Sequence, residues 1–196
     1  MGSHITGDEE RINYLLNHVS KDDMEKAVDL AIVGGESYCR VDIYSDKPKY
    51  IKYIDRACLT ENHIEIVLLK FKNLKSLTIE VSGINTLPEG IEKLSNLEEF
   101  YLVRSNIRVF YKVIKKLKNF KKLCLFGLKA KTLPKSIGNL KNLEELTLGR
   151  SITSIPKEMY NLINLKKLDL GPCRDLFSLP PGISNLRNLE ELILSK

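Results

Sequence analysis

Three histidines and four cysteines are the residues best suited to catalysis or metal binding, and their spacing supports neither. The chain has no C-x-x-C pair and no histidine at metal-ligand spacing from a cysteine. It also lacks a glycine-rich phosphate loop, a G-x-S-x-G elbow and an H-E-x-x-H sequence. We therefore predict no catalytic, cofactor-binding or metal-binding residues, and we expect a protein that is not an enzyme. The residues concerned are His4, His18, His63, Cys39, Cys58, Cys124 and Cys173.

Six similar segments could instead build a binding surface. The steps between them are 23, 23, 23, 22 and 24 residues, a period that is typical of solenoids. Apolar residues two apart in each segment point to the core of a short strand, and the residues between them point to solvent. The segments read NLKSLTI from residue 73, NLEEFYL from 96, NFKKLCL from 119, NLEELTL from 142, NLKKLDL from 164 and NLEELIL from 188.

The second half of each unit carries a proline followed by apolar residues at helical spacing, as in INTLPEGIEKL and KTLPKSIGNL. Proline favours the start of a helical segment, and the apolar pair after it returns to the same core. One such unit cannot cover its own apolar face, so the units must stack. We predict a curved, right-handed α/β solenoid.

These motifs resemble the leucine-rich-repeat family in the form LPxxIxxLxNLxxLxL, which occurs in bacterial proteins, including leptospiral ones, and in plant intracellular proteins. The resemblance covers about residues 64–196. It implies a parallel sheet on the concave side, short helices or 3-10 turns on the convex side, and a surface that binds proteins. It also leaves open that the chain is the sensing segment of a larger signalling or ligase protein.

The ends of the chain differ from the repeats. We predict a helical N-terminal cap over residues 1–36, in which residues 1–4 are a vector remnant, and a degenerate first repeat or cap over 37–72. Repeats of 22–24 residues then occupy 73–196. No cap follows the last predicted strand, so Leu192 and Leu194 should need cover. Either the chain is cut from a longer protein or this end supports self-association.

The candidate partner-binding site lies on the concave face of the predicted sheet. Tyr101, Val103, Cys124 and Phe126 fall on two adjacent strands and point away from the core, and clustered exposed apolar residues indicate a partner site. Arginines beside them would pair with carboxylates of a protein partner. The full set is Tyr101, Val103, Arg104, Lys122, Cys124, Phe126, Thr147, Arg150 and Asp169.

A band of positive charge gives an alternative. From residue 104 to residue 141 there are lysines and arginines but no aspartate or glutamate. This band could bind an acidic protein or a phospholipid surface. Nucleic acid is disfavoured because few aromatic residues are interleaved with the bases. The candidate anion-binding residues are Lys112, Lys115, Lys116 and Lys118.

Composition and cysteine content indicate the class of protein and its compartment. Apolar residues make up 43% and charged residues 29% of the 196-residue chain, as in globular proteins. The cysteines show no pairing pattern and are interpreted as free thiols, so we expect a cytoplasmic protein, with a secreted effector as the alternative.

The charged pair inside each segment alternates in sign. EE at 98–99 is followed by KK at 121–122 and EE at 144–145. Stacking would place opposite charges side by side, so we interpret the alternation mainly as a device that fixes the register of the repeats.

Overall fold

The computed structural model describes residues 19–27, 29–34, 39–44, 49–51, 60–71, 73–108, 110, 114 and 118–194. Within these residues, two α-helices span Lys21–Lys26 (α1) and Glu61–Lys70 (α2). The strands are Asp29–Gly34 (β1), Cys39–Tyr44 (β2), Lys49–Ile51 (β3), Ser76–Val81 (β4), Glu99–Leu102 (β5), Lys122–Leu125 (β6), Glu145–Leu148 (β7), Lys167–Leu170 (β8) and Glu191–Leu194 (β9).

All nine strands form one sheet in the order β3-β2-β1-β4-β5-β6-β7-β8-β9. The six strands β4 to β9 are mutually parallel and are the six segments predicted from the repeat period. Buried and partly buried residues alternate along β4 to β8, because successive side chains point to opposite faces of a strand. The predicted leucine-rich-repeat solenoid is confirmed.

The convex side consists of 3-10 segments at Glu89–Lys93, Lys135–Asn139, Lys157–Asn161 and Ile183–Asn185. A proline directly precedes each of the first three, and its fixed φ suits the entry into such a segment. Buried side chains from these segments complete the core opposite the strands, among them Ile91, Ile137 and Met159.

The N-terminal prediction was wrong in part. Residues 29–34, which fall in the predicted helical cap over 1–36, form strand β1 and pair with β4 in parallel over six residues. Short apolar runs such as DLAIV do not distinguish strand from helix by periodicity, and here pairing with the open edge of β4 decides the outcome. Lys49–Ile51, within the predicted degenerate first repeat or cap over 37–72, is also a strand and pairs antiparallel with β2. Residues 1–18, including the predicted vector remnant, lie outside the described residues.

Helix α2 closes the side of the first repeat. The Thr60 hydroxyl accepts a hydrogen bond from the His63 backbone N–H (3.3 Å), and His63 Nδ1 accepts one from the Thr60 N–H (3.1 Å). This reciprocal cap satisfies two donors at the helix start. Farther along, Glu65 accepts a hydrogen bond from the Gly90 N–H, which joins α2 to the first 3-10 segment. The apolar residues Ile64, Val67, Leu68 and Phe71 are buried.

An aromatic stack fills the core where the second repeat departs from the proline pattern. Phe110 occupies the position of the proline and is buried. Its ring lies 6.1 Å from that of Phe100, which lies 6.2 Å from that of Phe120. Three phenylalanines from two repeats therefore supply bulk that leucines supply elsewhere.

The asparagines that begin the last four segments have a structural role. Asn119 Nδ2 donates to the Ser95 carbonyl (2.7 Å), and Asn164 Nδ2 donates to the Lys141 carbonyl (2.8 Å). Asn142 and Asn188 make the equivalent bond to the preceding repeat. These bonds satisfy carbonyls at the turns between repeats and hold neighbouring units at a fixed spacing.

At the far edge of the sheet, the leucines of β9 are exposed as expected. Leu192 is 39% and Leu194 is 53% exposed. Self-association through this edge stays a prediction.

Candidate functional site

The predicted partner-binding residues are brought together on the concave face by strand register. Tyr101 lies opposite Cys124, Cys124 opposite Thr147, and Thr147 opposite Asp169. Neighbouring strands are about 4.8 Å apart, so these four side chains form one row across four repeats. All four are partly buried, which is typical of side chains that stand on a sheet and face solvent.

Tyr101 is held in place by its own strand. Its hydroxyl donates a 3.0 Å hydrogen bond to Glu99 Oε2, two residues earlier on the same face. Burial, followed by this bond to the Glu99 carboxylate, raises the pKa of Tyr101 far above its usual value, so the phenol stays protonated. The ring is therefore a fixed, uncharged surface for contact.

Lys122 belongs to the alternating charged pairs of successive repeats more than to the contact surface. Its Nζ lies 3.4 Å from Glu145 Oε1 and 3.7 Å from Glu99 Oε1. The ammonium thus links three repeats, and it also neutralises the carboxylate that holds Tyr101. We assign Lys122 to register and to support of Tyr101.

Phe126 directly follows β6 and is 50% exposed. The equivalent positions after β7 and β8 are Gly149 and Gly171, so these positions place no side chain beside the ring. A Cβ on Gly149 would collide with the carbonyl oxygen of Phe126, which explains the glycine there. Phe126 is a half-exposed aromatic ring whose equivalent positions in the next two repeats are glycines.

Two arginines lie just past strand ends, Arg104 after β5 and Arg150 after β7. Arg104 is exposed, adopts a positive φ of 45° and pairs with Glu80 at 3.1 Å between Nη1 and Oε1. Arg150 is also exposed, and among the residues that the structure describes it has no ion-pair partner. Arg150 is therefore the cation of this site that is available to a partner carboxylate.

The cysteines of the site are poor nucleophiles. Burial raises the pKa of Cys124, an effect that its bond to the Phe126 backbone reduces in part. Burial, with a contribution from Asp169, raises the pKa of Cys173 to about 11. Both thiols are free and stay protonated near neutral pH, and Cys173 Sγ donates to the Gly149 carbonyl at 3.3 Å. The site offers contact surface and charge, not thiolate chemistry.

Asp169 serves the turn after its strand. Its Oδ1 accepts a 2.9 Å hydrogen bond from the Gly171 N–H. The carboxylate keeps a second oxygen and remains partly exposed, so it can still accept a bond from a partner.

The alternative lysine site falls mostly outside the described residues. Lys112, Lys115 and Lys116 lie there, and Lys118 is exposed in the turn before β6. Within the described part of the chain, no cluster of histidine, cysteine, aspartate and glutamate could hold a metal ion. Over the same residues, no helix is long and apolar enough to cross a membrane.

Two glutamates that position side chains of the site were not predicted from the sequence. Glu99 fixes Tyr101, and Glu80 fixes Arg104. The first could have been found, because residues two apart on a strand share a face. The second could not, because it depends on the rotamer of an arginine one repeat away.

Comparisons with known proteins agree with this architecture. Residues 55–171 match the family model described as a leucine-rich repeat region. No curated protein sequence gives a significant match.

Similar folds occur among solved structures. A leucine-rich-repeat protein of Leptospira interrogans is 26% identical, with a TM-score of 0.46, over 70% of this chain and 46% of that one. The plant peptide hormone receptor RGFR1 in complex with RGF2 is 25% identical, with a TM-score of 0.47, over 67% of this chain and 26% of the receptor. The leucine-rich repeat domain of the type III effector XopL is 16% identical, with a TM-score of 0.43, over 98% of this chain and 90% of that domain.

This chain spans less than half the length of the first two of these proteins. The family model itself covers more than half of the chain, and its repeats coincide with strands β4 to β8. The chain belongs to the leucine-rich-repeat family.

Proposed function

We propose that this chain is a recognition scaffold that binds a protein partner through the concave face of its repeats. The observation that carries the proposal is the exposed ring of Phe126 beside the row of Tyr101 and Cys124. Leucine-rich repeats are commonly protein-interaction scaffolds and are typically non-enzymatic, and curved solenoids use their concave surfaces for binding.

The proposed roles follow from the geometry. Tyr101 and Phe126 are the apolar anchors, since both present ring surface at low conformational cost on binding. Val103 and Cys124 extend the apolar area between them. Arg150 pairs with a partner carboxylate at the rim, while Arg104 already has Glu80 and contributes less. Thr147 and Asp169 continue the row as polar contacts.

Loss of the two anchors tests the proposal. We expect the double variant Tyr101→Ala/Phe126→Ala to lose specific proteins captured by the wild type from an extract of the source cells, measured by quantitative mass spectrometry. The variant Tyr101→Phe is the matched control. It keeps the ring and removes only the bond to Glu99, so capture should be retained.

A second variant separates binding from stability. Thr147→Arg adds a bulky cation to a partly exposed position in the middle of the row and removes no core contact. It should block capture while the thermal midpoint stays within a few degrees of the wild type. Unchanged capture by both Thr147→Arg and the double alanine variant would exclude the concave patch.

A further inference from the structure

The two edges of the repeat sheet carry charge differently. At the edge where the strands begin, acids and bases pair across repeats, as in Lys121 with Glu98 and Lys166 with Glu144, each at 2.7 Å. At the edge where β5, β6 and β7 end, most cations have no acid partner within the described part of the chain. We call the five cations that follow β5, β6 and β7 the basic edge: Arg104, Arg108, Lys129, Lys131 and Arg150.

The basic edge is continuous because its loops are stacked by backbone hydrogen bonds. The Arg108 N–H donates to the Asn85 carbonyl (3.1 Å), and the Lys129 N–H donates to the Ile107 carbonyl (2.8 Å). The Thr153 N–H donates to the Lys131 carbonyl (2.8 Å). Three successive loops therefore present their cations side by side.

These charges are exposed and mostly uncompensated. The loop residues 103–108, 126–131 and 149–154 contain no aspartate or glutamate, and all five cations are exposed. Arg104 pairs with Glu80, and the other four have no ion-pair partner within the described part of the chain. Four exposed cations of one sign without acid partners attract an anionic group.

From these observations we infer that the basic edge binds an acidic segment of a protein partner whose apolar side chain contacts Phe126. The inference rests on the proposed function, since Phe126 joins the concave row to this edge. Three stacked loops span about 10 Å, which three residues of an extended chain cover. A short acidic run next to one aromatic or aliphatic residue fits both surfaces.

A protein segment fits better than a polyanion with uniform charge. On the concave face, Asp169 stands in the row of Tyr101 and Cys124 and keeps one carboxylate oxygen outside its hydrogen bond to Gly171, whereas Glu99 and Glu145 are paired with Lys122. A nucleic-acid backbone or a flat anionic membrane surface that covered this row would be repelled by Asp169 and would leave the apolar rings of Tyr101 and Phe126 without an apolar contact. A peptide can place its acids over the basic edge and an uncharged residue over Phe126.

The experiment selects peptides from a random phage-displayed library on the immobilised protein. Selected sequences should be rich in aspartate and glutamate next to one apolar residue. The most enriched peptide is then synthesised and titrated against variants. The edge variant Lys129→Glu/Lys131→Glu should weaken binding about tenfold or more at low ionic strength.

The control is Lys135→Glu/Lys157→Glu on the convex 3-10 segments, which changes the net charge by the same amount and should leave binding unchanged.

Equal losses of peptide affinity in the edge and control variants would overturn the inference, and so would a selection that enriches no peptide. Tighter, edge-dependent binding of a single-stranded oligonucleotide or of anionic vesicles would overturn it in favour of those ligands. Peptides that need Phe126 but carry no excess of acids would leave the proposed function intact and refute the acidic partner. Peptides that need the basic edge but not Tyr101 or Phe126 would refute the concave patch.

Discussion

The ammonium of Lys166 lies 2.7 Å from Glu144 Oε2, which belongs to the preceding repeat at the same edge of the sheet. Lys121 pairs with Glu98 of its preceding repeat in the same way, and Lys167 pairs with Glu191 of the following repeat, each at 2.7 Å. The alternation of EE and KK in the sequence therefore becomes ladders of opposite charges along the stack. A shift by one repeat would set acid against acid, so the pattern favours a single register.

Reversal of one charge should expose the effect of the ladder. The variant Glu144→Lys places three lysines in succession, at 121, 144 and 166, and should lower the thermal midpoint. The neutral variant Glu144→Gln should fall between Glu144→Lys and the wild type. Differential scanning fluorimetry at low and high salt measures both, and the differences should shrink with salt because the pairs are exposed. Equal midpoints for all three proteins at low salt would show that the ladder contributes nothing.

The same pair predicts a pH dependence with a defined sign. The hydrogen bond from Lys166 lowers the pKa of Glu144 below 4.5, and that bond raises the pKa of Lys166 above 10.5. The acid therefore stabilises the fold above pH 4.5, and this contribution is lost as the pH falls through the lowered value. The lysine contributes below pH 10.5 and loses its contribution as the pH rises through the raised value.

We expect the midpoint difference between wild type and Glu144→Gln to be largest near neutral pH and to fade at both extremes. Thermal melts across the pH range measure the difference. A difference that grows as the solution becomes acidic would contradict the assignment.

The aromatic stack predicts a large core effect. Phe100 is fully buried and contacts Phe110 and Phe120, so Phe100→Ala should destabilise the protein by about 3–5 kcal/mol. Phe110→Leu should cost less, because it retains part of the buried area. Urea unfolding followed by circular dichroism measures both. Similar losses of unfolding free energy in the two variants would contradict a central role of Phe100 in the stack.

Gly149 and Gly171 occupy equivalent positions in successive repeats, but they should differ in their tolerance of substitution by alanine. In Gly149→Ala the new Cβ would meet backbone atoms of Phe126, which cannot move without disturbing the adjacent repeat, and a loss of about 1–3 kcal/mol is expected. In Gly171→Ala the nearest atoms are Asp169 Oδ1 at 3.1 Å and Ile193 Cγ2 at 3.2 Å. Both belong to side chains that can adjust, so this variant should fold with little change. Equal unfolding free energies for the two variants would contradict the close approach at Gly149.

The repeat pattern in the sequence was sufficient to predict the solenoid and its concave row. A period near 23 residues with leucines at fixed positions sets the strands, and strict alternation sets which side chains face solvent. Tyr101 and Cys124 were predicted on adjacent strands for this reason, and the structure pairs them directly. Their role in binding remains a prediction.

The N-terminal third has no such repeat period. The predicted helical cap was wrong at residues 29–34, where the sheet extends by strand β1. Nothing local distinguishes DLAIV at 29–33 from a buried helical turn. Strand β1 forms because β4 offers an unpaired edge, which is a property of the assembled sheet.

By itself the sequence determined the number of repeats, the parallel strands and the faces of their side chains, because these follow from local periodicity. Only the tertiary structure decided which charges are neutralised and which are free. Lys122 and Arg150 are both basic residues of the repeats, and the sequence alone does not separate them. In the structure, Lys122 lies between glutamates of the two neighbouring repeats. Arg150 has no acid within ion-pair distance among the described residues. Ion pairs depend on side chains from different repeats meeting within about 4 Å, and that distance exists only after the repeats have stacked.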